Sequence, residues 1–265
     1  MLKHVEKYKI DVSWWKKVKA KTFAIQSYDG LKLQAYYLRK SGNKIAVVVH
    51  GYGANALEMQ QYAKMFYDMG YSVLTPDNRG HGHSEGKHIT MGYKDSKDVA
   101  LWVEFLVTKY PKSQIVVFGL SMGGATVCLY SSLPKPKNVK AIVSDCAYTS
   151  PYVLFENICD KSIIFTFFPG MKFFDFYLKH RIGFRLTDID VKTAIKKCNV
   201  PILLIHGSSD KFVPFYMRDI LYKHAPKKYR HKYTFSGAGH AESLPTSGEE
   251  YKNQVKQFLA NYISD

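Results

Sequence analysis

Ser121 lies in Gly119-Leu120-Ser121-Met122-Gly123, a GxSxG pentapeptide. Alone, such a match is weak; its setting strengthens it. The apolar run 114–118 reads as a strand, and an apolar helical stretch, 122–132, follows at once. A strand, a tight turn and a helix put a serine on a sharp, strained bend with its hydroxyl exposed. Side chains at 119 and 123 would collide with neighbouring backbone, so glycine fits both. The helix starting at Met122 aims its positive end at the site, which favours developing negative charge. These features suit nucleophilic attack on a carbonyl carbon.

A serine hydroxyl is a weak nucleophile near neutral pH without a base. His240, in Ser236-Gly237-Ala238-Gly239-His240, follows the last predicted strand and is the candidate base. His50, at a strand end near the site, and His206, just before an acid-bearing loop, fit less well. The base in turn needs an orienting carboxylate. Asp210, in His206-Gly207-Ser208-Ser209-Asp210, and Asp145, directly after the run 139–144, are both open on the residues alone. Acyl transfer also needs donors for an oxyanion. The backbone N–H of Met122 is one, and that of Tyr52, in His50-Gly51-Tyr52-Gly53 after the run 45–49, is the other candidate. Losing one such donor typically costs roughly 3–4 kcal/mol of transition-state stabilisation.

The elements that must position these groups follow from pattern. Residues 4–20 fit an N-terminal helix, with Val5, Tyr8, Val12, Trp15 and Val18 on one side. Strands are predicted over 22–28 and 32–39, joined by Asp29-Gly30, a hairpin signal. Beyond them, strands at 45–49, 72–75, 114–118 and 139–144 alternate with helices at 54–69, 91–110 and 122–132. The rhythm resumes with strands at 201–206 and 232–235 and helices at 215–224 and 248–262. Continuously apolar strands alternating with helices indicate an α/β fold, a mostly parallel sheet covered on both faces. Residues 149–187 break the rhythm and are crowded with Phe, at 155, 165, 167, 168, 173, 174, 176 and 184. They read as an insertion over the sheet within one domain spanning 1–265.

The segments His50-Gly51-Tyr52-Gly53, Asp77-Asn78-Arg79-Gly80-His81-Gly82-His83-Ser84, Gly119 to Gly124, His206 to Asp210 with Val213-Pro214, and Gly239-His240 together resemble the α/β-hydrolase superfamily. Within it they are similar to the group of carboxylesterases, monoacylglycerol lipases and serine aminopeptidases. The resemblance runs from about residue 22 to the end. It implies the α/β-hydrolase fold with a small helical cap at 149–187. It also implies a triad in the chain order Ser121, Asp210, His240, favouring Asp210 over Asp145. The expected function is a serine hydrolase cleaving short- to medium-chain acyl or aryl esters through an acyl-enzyme. The alternatives are a proline-type aminopeptidase, with Glu156 or Asp160 of the insertion holding the substrate amine, and a catalytically idle binding module. The cap phenylalanines serve either as the cap's own packing or as an apolar wall for the acyl group.

Composition narrows the partners. Apolar residues make up 46 % and aromatics 15 %, which excludes a disordered chain. The net charge is +16, with Lys and Arg gathered at 16–21, 135–137, 196–197 and 227–232. No nucleic-acid-binding motif accompanies them, so nucleic acid is not expected. A solvated basic surface is the plain reading, and attraction to anionic lipid, a peripheral membrane contact, is the second. No metal and no cofactor are expected: His81, His83 and His88 lack an acid or thiol to complete a ligand set, and the resemblance assigns them to a loop beside the nucleophile. Cys128, Cys146, Cys159 and Cys198 are far apart, which fits reduced thiols in the cytoplasm. No apolar stretch is long enough to span a bilayer, so the cytoplasm is the expected location, with an anchor upstream of residue 1 as a second route to a membrane beside the peripheral contact.

Overall fold

The apolar runs build the centre of an eight-stranded sheet. The structure, a computed structural model, describes residues 13–159 and 170–264. Its strands are β1 (Lys21–Gln26), β2 (Lys32–Leu38), β3 (Lys44–Val49), β4 (Ser72–Pro76), β5 (Gln114–Leu120), β6 (Val139–Asp145), β7 (Ile202–Gly207) and β8 (Arg230–Phe235). They lie in the order β1-β2-β4-β3-β5-β6-β7-β8. The first three pair antiparallel, and every pairing from β4 to β8 is parallel. Strands β3 to β7 are buried nearly throughout because helices cover both faces.

The helices in chain order are α1 (Ser13–Lys17), α2 (Gln60–Asp68), α3 (Asp95–Lys109), α4 (Met122–Tyr130), α5 (Pro151–Cys159), α6 (Gly170–Ile182), α7 (Val191–Ile195), α8 (Tyr216–His224) and α9 (Ser243–Ala260). Val99, Trp102, Val103 and Leu106 of α3 recur at helical spacing and pack with α4 and α8 against one face. Tyr251, Val255, Phe258 and Leu259 of α9 do the same with α2 on the other face. Fully burying one such side chain stabilises by about 1.5–3 kcal/mol.

Among the described residues three helix starts depart from the sequence expectation by two residues or more. Helix α3 starts at Asp95 and not at 91, because Met91 (φ 49°) and Gly92 (φ 87°) are left-handed and cannot open a helix. The buried Asp95 carboxylate instead accepts from Thr90 Oγ1 and the Gly92 amide. The stretch expected as one helix over 54–69 begins with a 3-10 turn, Ala56–Met59, capped by Asn55. The last helix starts earlier than expected, at Ser243, and kinks at Gly248 (φ 46°, ψ −111°). Of the N-terminal helix expected over 4–20, residues 4–12 lie outside the described residues. Of the remainder only Ser13–Lys17 is helical, as α1, and Lys19 turns left-handed (φ 48°); the buried Trp15 donates from Nε1 to the Leu57 carbonyl at 2.9 Å.

Between β6 and β7, where the rhythm was expected to break, stand α5 and α6, then a 3-10 turn, Leu186–Asp188, and the short α7. Residues 160–169, with Asp160, Phe165, Phe167 and Phe168, lie outside the described residues.

Candidate active site

Every element bearing a candidate group ends at the carboxyl edge of the sheet, the usual binding edge of an open α/β sheet. β5 runs into α4 through Ser121, whose backbone is forced to φ 57°, ψ −116°. Two glycines make the turn possible. A Cβ at Gly119 would lie 2.1 Å from the Gly123 carbonyl oxygen, and one at Gly123 would lie 2.3 Å from the Val49 oxygen. The Ser121 amide is held by the Asp145 carbonyl of β6 at 2.9 Å.

Three side chains from β5, β7 and β8 meet there. Ser121 Oγ lies 2.8 Å from His240 Nε2, and His240 Nδ1 lies 2.8 Å from Asp210 Oδ2. With Nδ1–H donating to the carboxylate, Nε2 is left to accept from the serine hydroxyl. The His240 side chain is 22 % exposed and that of Asp210 is fully buried. Asp210 Oδ1 accepts from the Phe212 and Val213 amides at 2.9 and 2.8 Å. Burial raises its pKa most, but the bonds from His206 and His240, the His240 charge and the Val213 amide outweigh it. The carboxyl is held well below the usual carboxylate range.

Asp145, the other candidate acid, does not reach the imidazole. It is buried on the α2/α9 face and its Oδ2 accepts from Tyr251 Oη at 2.9 Å. Burial raises its pKa to about 6, against the lowering effect of the Tyr251 bond.

Sequence reasoning passed over His206 as a working residue. It is fully buried, and Nε2 donates to the Val213 carbonyl at 2.9 Å while lying 3.2 Å from Asp210 Oδ2. It therefore steadies both the carboxylate and its loop. Only its place four residues before Asp210 hinted at this. Phe212 was also missed; its ring centroid lies 4.9 Å from that of His240.

The loop 50–53 passes over the serine: a Cβ on Gly51 would lie 3.4 Å from Ser121 Cβ. Two histidines fix it. His50 Nδ1 donates to the Gly51 carbonyl at 2.7 Å, and Nε2 accepts from the Asn78 amide at 2.9 Å. Burial first, then the nearby His81, lowers its pKa to about 3, so it is neutral. His81 Nδ1 donates to the Arg79 carbonyl at 3.0 Å, and its Nε2 accepts from the Gly53 amide at 3.1 Å. Asp77 ties the following turn, accepting from the Ala56 and His83 amides at 2.8 Å each. Tyr52 puts an exposed side chain at the site, whereas that of Met122, the first residue of α4, is buried.

His81, His83 and His88 do not assemble a ligand set among the described residues. Cys146, Asp210 and His240 do bring their ligand atoms within 4.8 Å of one another. Burial and the Asp145 and Asp210 charges push the Cys146 thiol well up, which opposes the thiolate a metal needs. Cys128, Cys146 and Cys198 are free and buried.

A cavity of about 560 Å³ opens beside Tyr52, walled by Met91 and by Phe155, Phe174, Leu178 and Ile182 of α5 and α6, with Lys87 and His88 at its edge. Of the phenylalanines expected in the cap, Phe155, Phe174 and Phe184 line this cavity. Phe173 and Phe176 face solvent instead. Glu156 is exposed on α5.

Comparison with known proteins places the architecture. The family described as serine aminopeptidase, S33, matches residues 41–166. A Bacillus subtilis protein, YqkD, is 28 % identical over 247 residues, covering 90 % of this chain and 79 % of its own. Human monoglyceride lipase is 24 % identical over 220 residues, covering 69 % and 71 %. An esterase of Pyrococcus furiosus superposes with a TM-score of 0.76 at 25 % identity, covering 94 % of this chain and 96 % of that one. Sheet order, helical layers and these likenesses agree: the chain has the α/β-hydrolase fold and is similar to esterases and lipases that share it.

Proposed function

We propose that the protein is a serine hydrolase of carboxylic esters with short- to medium-chain acyl or aryl groups, using Ser121, His240 and Asp210. The observation that carries this is the hydrogen-bonded chain from Ser121 Oγ through His240 to Asp210, 2.8 Å at each link. Ser121 Oγ attacks the ester carbonyl as its proton passes to His240 Nε2. Asp210 holds the imidazole in the right tautomer and stabilises the imidazolium. The tetrahedral oxyanion accepts from the Tyr52 and Met122 amides. Collapse expels the alcohol, which takes the proton from His240. Water then attacks the acyl-enzyme, its proton going to His240 and on to Ser121 as the acid leaves.

The apolar cavity beside Tyr52 supports an acyl or aryl group as the part that is buried. The family name favours a second reading, an aminopeptidase. Such an enzyme needs a carboxylate facing the substrate ammonium. Among the described residues the cavity edge carries Lys87 and His88 instead, and Glu156 is in solvent, which favours esters.

The test is turnover of p-nitrophenyl esters of graded chain length, with amino-acid arylamides assayed beside them. Ser121→Ala should lower kcat by on the order of 10⁶-fold, to background, with the fold intact. It should also abolish labelling by a fluorophosphonate. Retained turnover in the variant would refute the assignment of Ser121, and an unlabelled, inactive wild type would point to a binding module.

A further inference from the structure

Helix α6 has two faces that differ in an unusual way. Phe174, Leu178 and Ile182, four residues apart, line the cavity, and Asp175 turns inward to accept the Leu186 amide. The opposite face of a surface helix is ordinarily polar. Here it carries Phe173, Phe176 and Tyr177, which are 75 %, 50 % and 52 % exposed. At about 100° per residue these three and His180 fall in one sector about 100° wide. Lys172 and Lys179 border that sector on one side and Arg181 on the other, all exposed. The only acid of α6, Asp175, is buried. Rings left in solvent at this density mark an interaction surface.

We propose that this face of α6 docks the protein on an anionic lipid surface, its rings entering the interface and its flanking cations meeting lipid phosphates. A helix with aromatic residues on one side and Lys or Arg beside them lies in the plane of a membrane interface by this balance. Charge complementarity selects the partner. The chain carries +16 overall, and the patch itself contributes Lys172, Lys179 and Arg181 with no exposed acid on the same helix. The patch adjoins the cavity through Phe174, which is exposed and lines it together with Tyr52.

Co-sedimentation with vesicles tests this without any catalysis, so its failure is separate from failure of the hydrolytic reading. Wild type should pellet with equimolar phosphatidylcholine and phosphatidylglycerol, more weakly with phosphatidylcholine alone, and less as salt is raised. The triple variant F173S/F176S/Y177S should lose about tenfold or more in partitioning, and so should K172Q/K179Q/R181Q. Circular dichroism melts check that both stay folded. A separate variant, F176W, should be quenched by brominated lipid. Absence of wild-type pelleting, pelleting unchanged in the aromatic variant, or no quenching would each overturn the proposal. So would a dimer that dissociates on replacing the rings while vesicles are ignored, since a second copy would then be the occupant.

Discussion

At the scale of single residues, two aspartates at neighbouring strand ends are driven in opposite directions. Asp210 receives two backbone amides and two imidazoles and stays ionised. Asp145 receives one tyrosine hydroxyl in a fully buried place, and its pKa rises to about 6. For Asp145 the folded pKa lies above the unfolded one, near 3.9. The folded state therefore holds an extra proton between about pH 4 and 6, and stability falls as pH rises through that window. Asp145→Asn keeps an acceptor for Tyr251 and removes the titration. Its stability relative to wild type should climb between about pH 4 and 6, by about 3 kcal/mol at most, then level off. Urea melts across this range check it; a flat difference would show that Asp145 is ionised throughout. On residue type and position alone the two acids were equivalent, and only the family resemblance favoured Asp210. What separates them is the set of donors each meets, above all His206 and the 212–213 amides, and that set exists only after folding.

At the scale of elements, the turn between β5 and α4 admits no side chain at its glycines. Gly123→Ala would drive a methyl group into the Val49 and His50 carbonyls, at 2.3 and 2.7 Å. Backbone cannot yield as a side-chain tip can, so the expected loss is about 3 kcal/mol or more, read as a lowered urea midpoint. Gly51→Ala is the control: its Cβ meets nothing closer than 3.4 Å, and it should fold within about 1 kcal/mol of wild type. Equal losses in the two would mean that packing at the turn is not the cause. This element was legible because glycine, apolar strand and apolar helix coincide in one short stretch. The start of α3 was not, because Met91 adopts a left-handed backbone that its side chain does not announce. Nor was the outward face of α6. Its phenylalanines were read as packing or as cavity wall, and spacing gives the faces of a helix without saying which one meets water.

At the scale of the whole molecule, one buried guanidinium joins three regions that are remote in the chain. Arg79, after β4, donates to Asp98 of α3 through Nε and Nη2 at 2.7 Å each, and to Asp29 of the β1–β2 turn at 2.9 and 3.1 Å. The antiparallel margin of the sheet is thus tied to the helical layer over its parallel part. Removing the cation would leave Asp98 buried and unpaired, which costs about 3–5 kcal/mol. Arg79→Ala should lower the denaturation midpoint accordingly, and a loss below about 1 kcal/mol would mean that water replaces the cation easily. The alternation of strands and helices made the layers readable, while this brace depends on pairs 19 and 50 residues apart.

Among the described residues the sheet remains open, ending on β1 at one margin and β8 at the other. β1 opens with Lys21 and β8 with Arg230, so each margin starts on a positive charge, while burial lowers the His231 pKa and Lys232 pairs with Asp219 at 2.9 Å. Two copies approaching margin to margin would set like charges against each other before any backbone hydrogen bond could form. The same basic residues that give the chain its high isoelectric point thereby discourage it from zippering into fibrils when concentrated.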